Sequence, residues 1–287
     1  MPPHEYVPWQ NKQTDNVSNK IVPFAQNWLL LLTFDGASYH GWQVQPDSPS
    51  IQDTLEKAIQ RLTGEIVRVH GAGRTDSGGH ALNYTANFNS TSKNIKSTEK
   101  WCSALNAVLP NDIVVKSVQS VSADFHTRHN AIGKRYRYLI SNHFYHSPFT
   151  NNKSWLVGQI LDIDLMKQAA EVVIGRHDFS AFRSSNCSSP NTVKDIREIS
   201  IGKSNFQNSI LQIEIEANSF LQHMVRIITG TLVEAGQARI SSDDVEKALK
   251  EGDRNLAGCT APAHGLYSLK VIYPDGLVSW PLDVIDN

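Results

Sequence analysis

Apolar and polar residues alternate most sharply in LQIEIEA (211–217), where Leu211, Ile213 and Ile215 interleave with Gln212, Glu214 and Glu216. A period of two puts one face in a core and the other in water, the habit of an antiparallel or mixed sheet. Similar runs predict strands at 28–34, 66–70, 84–88, 113–121, 134–141, 196–202 and 266–273. Helical spacing is equally legible. SIQDTLEKAIQRL aligns Ile51, Leu55, Ala58 and Leu62 behind a Ser50 cap. STEKWCSALNAVLP aligns Trp101, Leu105 and Val108 and stops at Pro110. DLMKQAAEVVIG closes on Gly175 as a left-handed cap, and SSDDVEKALKEG runs from Ser241 or Ser242 to Gly252. SFLQHMVRIITGTLVEAG (219–236) reads as a buried helix with Met224, Val225, Ile228 and Leu232 on its apolar side.

The element order is strand–helix–strand–strand–helix–strand, a linking stretch near 124–133, then a comparable set. It predicts an α+β fold of two related halves, each an antiparallel-rich sheet with helices packed on one face. The halves are residues 27–124 and 125–274, flanked by a flexible arm (1–26, in which Trp9 and Phe24 could pack on the body) and a tail (275–287).

Composition narrows the class. Of 287 residues, 40% are apolar and 19% charged, as in an ordinary soluble globule. The longest apolar run, WLLLLTF, is too short for a membrane span, and the start lacks a signal-peptide pattern. Cys102, Cys187 and Cys259 lie far apart, which suggests neither zinc site nor disulfide framework and fits a reducing cytoplasm. A net charge of −1 conceals acid-free windows. Between Asp124 and Asp162 stand Arg128, Lys134, Arg135, Arg137, Lys153 and several histidines; between Asp178 and Asp195 stand Arg183 and Lys194. Such windows, with aromatic residues among them, suit a phosphodiester backbone and stacked bases.

Three features carry candidate chemistry. In GAGRTDSGGHA, Asp76 is the one acid between Glu65 and Glu99. It is a helix cap or the reactive group of a site built for an anionic partner. A hydrolase relay of Asp76, Ser77 and His80 lacks the nucleophile elbow, and a metal site lacks a second carboxylate. In KRYRYLI (134–140), period two puts Lys134, Tyr136 and Tyr138 on one face and Arg135 and Arg137 on the other. Tyr138 reads as core; the basic neighbours of Tyr136 mark it as a base-stacking ring. Arg226 sits inside the apolar helix with no acid at helical spacing. If buried, it needs a counter-ion from elsewhere, and Asp76 is the natural candidate; reaching solvent or binding a phosphate are the alternatives.

GAGRTDSGGHA resembles the G-R-T-D-x-G-x-H-A signature of the TruA family of tRNA pseudouridine synthases. The likeness runs over about 28–274 through FDGASYHGWQ, LNAVLPNDI, DFHTRHNAIGKRYRY, GRHDFSAFR, NSFLQHMVRIITGTL and APAHGLYSLKVIYP, in the family's order. It implies the pseudouridine synthase fold with a cleft between the halves, and isomerisation of uridine at positions 38, 39 and 40 of the tRNA anticodon arm by base flipping, without cofactor or metal. It further implies Asp76 as catalytic carboxylate, Arg74 entering the RNA beside the target, Tyr136 stacking on the uracil, Arg226 pairing with Asp76, and Leu266 packing on the base. Arg128, Lys134, Arg135 and Arg183 are candidate contacts to the tRNA backbone. The resemblance also implies a homodimer. Ser77 stands where alanine is typical, Gly79 where a branched residue is typical, and Val44 where a basic residue often sits. An inactive RNA-binding module and a nucleoside glycosidase are the competing classes; the second would want two carboxylates.

Overall fold

The computed structural model describes residues 25–145, 147–204, 210–281 and 284. The arm expected over 1–26, with Trp9 and Phe24, lies almost wholly outside the described residues, as does part of the tail.

Among the described residues ten strands form one continuous mixed sheet: β1 (Gln26–Phe34), β2 (His70–Gly71), β3 (His80–Ser90), β4 (Ile113–Val121), β5 (Gly133–Ser141), β6 (Trp155–Leu156), β7 (Gly175–Asp178), β8 (Val193–Lys203), β9 (Ile210–Ala217) and β10 (Leu266–Ile272). Its order is β4-β1-β3-β10-β5-β9-β8-β7, with β2 on β3 and β6 on β5. Among the described residues five α-helices accompany it: α1 (Ile51–Thr63), α2 (Thr98–Val108), α3 (Ile163–Val173), α4 (Met224–Gly236) and α5 (Ser242–Glu251). The α+β class expected from the pattern is the one observed. None of the described helices is long and apolar enough to cross a membrane.

The core has two centres. Trp28, Leu30, Leu32 and Phe34 of β1 pack with Leu55 and Ile59 of α1 and Trp101 and Leu105 of α2. Tyr138 and Ile140 of β5 and Ile213 and Ile215 of β9 pack with α3, α4 and α5. The sheet joins them where β10, antiparallel to β5, runs parallel to β3 through Tyr267↔His80 and Ser268↔Ala81. This seam fixes the entry of the glycine-rich segment into β3.

Helix ends follow the chemistry of their caps. The Ser50 hydroxyl accepts from the Asp53 amide, and Gly64 closes α1 at φ 75°. Ser241 and Asp244 form a reciprocal capping box on α5, which Gly252 ends at φ 66°. Each such N-cap stabilises its helix by about 1 kcal/mol. Leu109, held extended before Pro110, terminates α2.

Three expectations need correction. Of the strand expected at 66–70 only His70 joins the ladder, followed by Gly71. Side chains of α1 take the place of a neighbouring strand: Glu56 Oε1 accepts from the Val69 amide at 3.0 Å, and Gln52 Nε2 donates to the Val69 carbonyl at 2.9 Å. The helix expected over 219–236 begins at Met224, because His223 adopts a left-handed backbone (φ 62°) that breaks its first turn. α3 ends at Val173 with Ile174 as its extended cap, so Gly175 (φ 101°) opens β7 and does not cap the helix. β6 and β7 were invisible in the hydrophobic pattern, being short, and β7 (GRHD) being polar.

Candidate active site

The glycine-rich loop between β2 and β3 is braced from several directions. Tyr84 of β3, packed on Trp42 at 4.6 Å, accepts from the Gly73 amide at 3.2 Å and donates to the Gly73 carbonyl. Lys134 of β5 donates to the Ala72 carbonyl at 2.6 Å. The segment 36–41 lies against the loop's far side, where a Cβ on Gly36 would stand 1.8 Å from the Gly79 carbonyl oxygen. Gly41 combines φ 85° with a Cβ position 2.3 Å from the Thr75 carbonyl oxygen. No side chain fits at either place, which explains the paired glycines of FDGASYHGWQ.

Asp76 projects from this loop onto the first turn of α4. Its Oδ2 accepts from Arg226 Nη1 at 2.8 Å, across 150 residues of sequence. The two side chains are 19% and 15% exposed, so the pair is largely but not wholly withdrawn from water. Arg226 Nε donates to the Ala261 carbonyl at 2.6 Å, and the Ala261 amide donates to the Arg226 carbonyl at 3.1 Å. The guanidinium is thus fixed at both ends. Asp76 Oδ1 accepts no hydrogen bond among the described residues; His223 Nε2 stands 3.7 Å from it. The carboxylate therefore has one tethered oxygen and one open one.

Tyr136 lies on the same sheet face. Its ring meets Phe220 edge-on at 5.1 Å, and burial, followed by the charge of Asp76, pushes its hydroxyl pKa up. Leu266 is 8% exposed and pairs with Tyr138, so the two share that face. The Tyr138 hydroxyl donates to the Pro262 carbonyl at 2.6 Å, which ties β5 to the turn leading into Leu266 and fits its reading as core. Arg74 is exposed and makes no ion pair among the described residues. Arg128 is exposed close to Lys134, whose pKa burial, with help from Arg128, pushes down to about 8. Arg183 follows a short 3-10 turn (Ser180–Phe182), and the next residue, Ser184, donates its amide to Gln222 beside His223.

Arg135 is placed differently from the other basic candidates. It and Arg137 occupy the opposite face of β5, as period two requires. Arg135 pairs with Glu198 at 2.5 Å and Glu216 at 2.9 Å, and Arg137 with Glu214 at 2.7 Å. A phosphate contact beside Asp76 is not open to Arg135, whose charge the glutamates of β8 and β9 already hold.

The relay of Asp76, Ser77 and His80 does not form. Ser77 Oγ donates to the Tyr39 carbonyl, while His80 is buried on Tyr267 at 4.7 Å, with Asp35 2.9 Å from its Nδ1. Burial first, then Lys153, pushes the His80 pKa down. Among the described residues no cluster of His, Cys, Asp or Glu has the geometry to hold a metal ion. The sequence pattern did not single out His223, beside the carboxylate, or Phe220, whose ring meets Tyr136. Their signal was faint: both sit next to Arg226 in a stretch that reads as one continuous helix.

The sequence pattern described as tRNA pseudouridine synthase matches residues 31–130 and 169–274. The tRNA pseudouridine synthase A of Thermoanaerobacter sp. (strain X514) is 45% identical over 248 residues, covering 86% of this chain and 100% of that protein. The Acetivibrio thermocellus protein of the same name is 44% identical over 248 residues (86% and 100%). That of Myxococcus xanthus is 41% identical over 247 residues (86% and 92%). With a family pattern spanning both sides of the seam and relatives matched over nearly their whole length, the chain belongs to the tRNA pseudouridine synthase family.

Proposed function

We propose that this protein isomerises uridine to pseudouridine at positions 38, 39 and 40 of the tRNA anticodon arm, with Asp76 as its catalytic carboxylate. The observation that carries this reading is the 2.8 Å pair between Asp76 and Arg226. Two charges with no local partner, 150 residues apart in sequence, meet where a carboxylate keeps one oxygen free.

The reaction breaks C1′–N1 and forms C1′–C5. One proton leaves C5 for solvent and one from solvent reaches N1, so nothing is oxidised, reduced or hydrolysed. The chain needs a nucleophile or base, and the open Oδ1 of Asp76 supplies it. Arg226, anchored on Ala261, holds Oδ2 and sets the carboxylate's angle. Tyr136 stacks on the extruded uracil and Leu266 closes the pocket, which keeps the detached base from escaping. Arg74, exposed at the loop's edge, enters the RNA where the target nucleotide leaves its stack. Arg128, Lys134 and Arg183 contact phosphates around the mouth. Contacts of that kind position tRNA by its backbone and shape.

The two halves, 27–124 and 125–274, act as the walls of the cleft. The working form is a cytoplasmic homodimer, in which two near-neutral chains (−1 each) build a longer basic groove than one can. The solitary carboxylate weighs against the glycosidase reading, which wants two. The test is to incubate unmodified tRNA with the protein and map pseudouridine along the strand. Pseudouridine at positions 38–40 is expected. Free uracil would establish the glycosidase in its place, and unchanged uridine with intact binding would establish the inactive module.

A further inference from the structure

Beside the glycine-rich loop stands a group of imidazoles that the reaction does not use. His70, on β2, and His129, in the turn after β4, are exposed and flank the less exposed His126. The ring centroids of His70 and His126 lie 5.0 Å apart, those of His126 and His129 4.3 Å. Among the described residues neither His70 nor His129 has an ion pair or a ring hydrogen bond. His126 does. Its Nδ1 accepts from the Arg128 amide at 3.1 Å and its own amide donates to Asn130 at 2.7 Å, so the ring is fixed in a neutral form. Burial, then His129 and His70, pushes its pKa down in agreement.

Cations without an acidic partner among the described residues stand around the rings. Arg128 is exposed in the same turn; Lys134 of β5 bonds the Ala72 carbonyl, two residues after His70 and two before Arg74. Arg68 is occupied by Glu56 of α1 at 3.5 Å, and Asp124 is held by Ser122. Among the described residues no carboxylate pairs with the imidazoles or with Arg128. The outer two rings repel one another when both are protonated, and among the described residues the arrangement offers no metal geometry. An anion bound between the outer two relieves that repulsion.

We propose that His70, His129 and Arg128 form a phosphodiester-binding ledge, with His126 as its neutral strut, that grips the tRNA backbone next to the extruded nucleotide. The inference rests on the proposed tRNA substrate. Because imidazoles gain protons where arginine would already be charged, the ledge makes tRNA affinity depend on pH in the 5.5–7.5 range. A bound phosphate favours the protonated rings, so affinity is highest at the acid end and declines as pH rises.

The test is the tRNA dissociation constant, by fluorescence anisotropy between pH 5.5 and 7.5, with Lys134 unaltered in every protein compared. The unaltered protein, the His70→Gln/His129→Gln variant and the His70→Arg/His129→Arg variant are compared. The unaltered protein should lose about tenfold in affinity across the range. The glutamine variant should be weak and flat, and the arginine variant tight and flat. The deficit of the glutamine variant should appear in KM, with kcat at saturating tRNA unchanged. Equal pH slopes in all three proteins, or an arginine variant no tighter than the glutamine one at pH 7.5, would overturn the ledge. Tritium release from C5-labelled tRNA by the unaltered protein separates the two failures. If release occurs while the slopes are equal, only the ledge falls; if it never occurs, the enzymatic reading falls as well.

Discussion

The two faces of β5 carry similar residues to opposite ends. On the inner face Lys134, Tyr136 and Tyr138 look onto the glycine-rich loop and α4, and Lys134 has no acidic partner among the described residues. On the outer face Arg135 and Arg137 are held by Glu198, Glu214 and Glu216 at 2.5–2.9 Å. What separates a candidate RNA contact from a structural cation is the neighbouring strand. β9 sets Ile213 and Ile215 beside the tyrosines and Glu214 and Glu216 beside the arginines. A basic stretch in sequence is a basic surface only where the adjacent strand leaves it uncompensated.

That contrast can be broken by substitution, beginning at the ion pair the inner face shelters. Arg226→Met should strand the Asp76 charge and cost about 3 kcal/mol of stability. It should also lower kcat by roughly 100-fold or more, since the carboxylate loses its fixed donor. Denaturant unfolding and single-turnover kinetics read the two effects separately. Tyr136→Leu should weaken the stack on the flipped base by about 1–3 kcal/mol, seen as a loss of roughly tenfold to 100-fold in kcat/KM. Tyr136→Phe, which keeps the ring, should stay close to the unaltered protein.

Lys134 gives a smaller effect with a defined pH signature. Its pKa in the free protein is pushed down to about 8, and a nearby phosphate favours the charged form. Affinity for tRNA should therefore fall as pH climbs through about 8, and Lys134→Met should be weaker below that value and lack the step. Anisotropy titrations from pH 7.5 to 9.5 would show it. On the outer face, Arg135→Gln should leave tRNA affinity within twofold or so and cost at most about 1 kcal/mol of stability, the ordinary scale of a partly exposed pair. A larger binding loss there than at Lys134 would erase the distinction between the faces.

Much of this was legible in the sequence because the relevant signals are local. Period two placed the β5 side chains correctly, Ser50 and Gly252 marked their helix ends, and the absence of acids near Asp76 and Arg226 pointed each to the other. The rest depends on contacts between distant segments. Residues 66–69 carry a strand pattern, yet Gln52 and Glu56 satisfy the Val69 backbone, so no strand is needed there. The role of Arg135 is decided by glutamates 63 and 81 positions away. His223 looked like an ordinary helical residue, and its left-handed backbone is what starts α4 only at Met224.

The central claim is that the Asp76 carboxylate, held by Arg226, isomerises uridine in tRNA. Its most direct test is tritium release from C5 of uridine in tRNA, comparing the unaltered protein with Asp76→Asn, which keeps the shape and removes the charge. Release from the anticodon arm is expected with the unaltered protein, falling by roughly 10⁴-fold or more in Asp76→Asn while tRNA binding persists. Comparable release from both proteins would contradict the account.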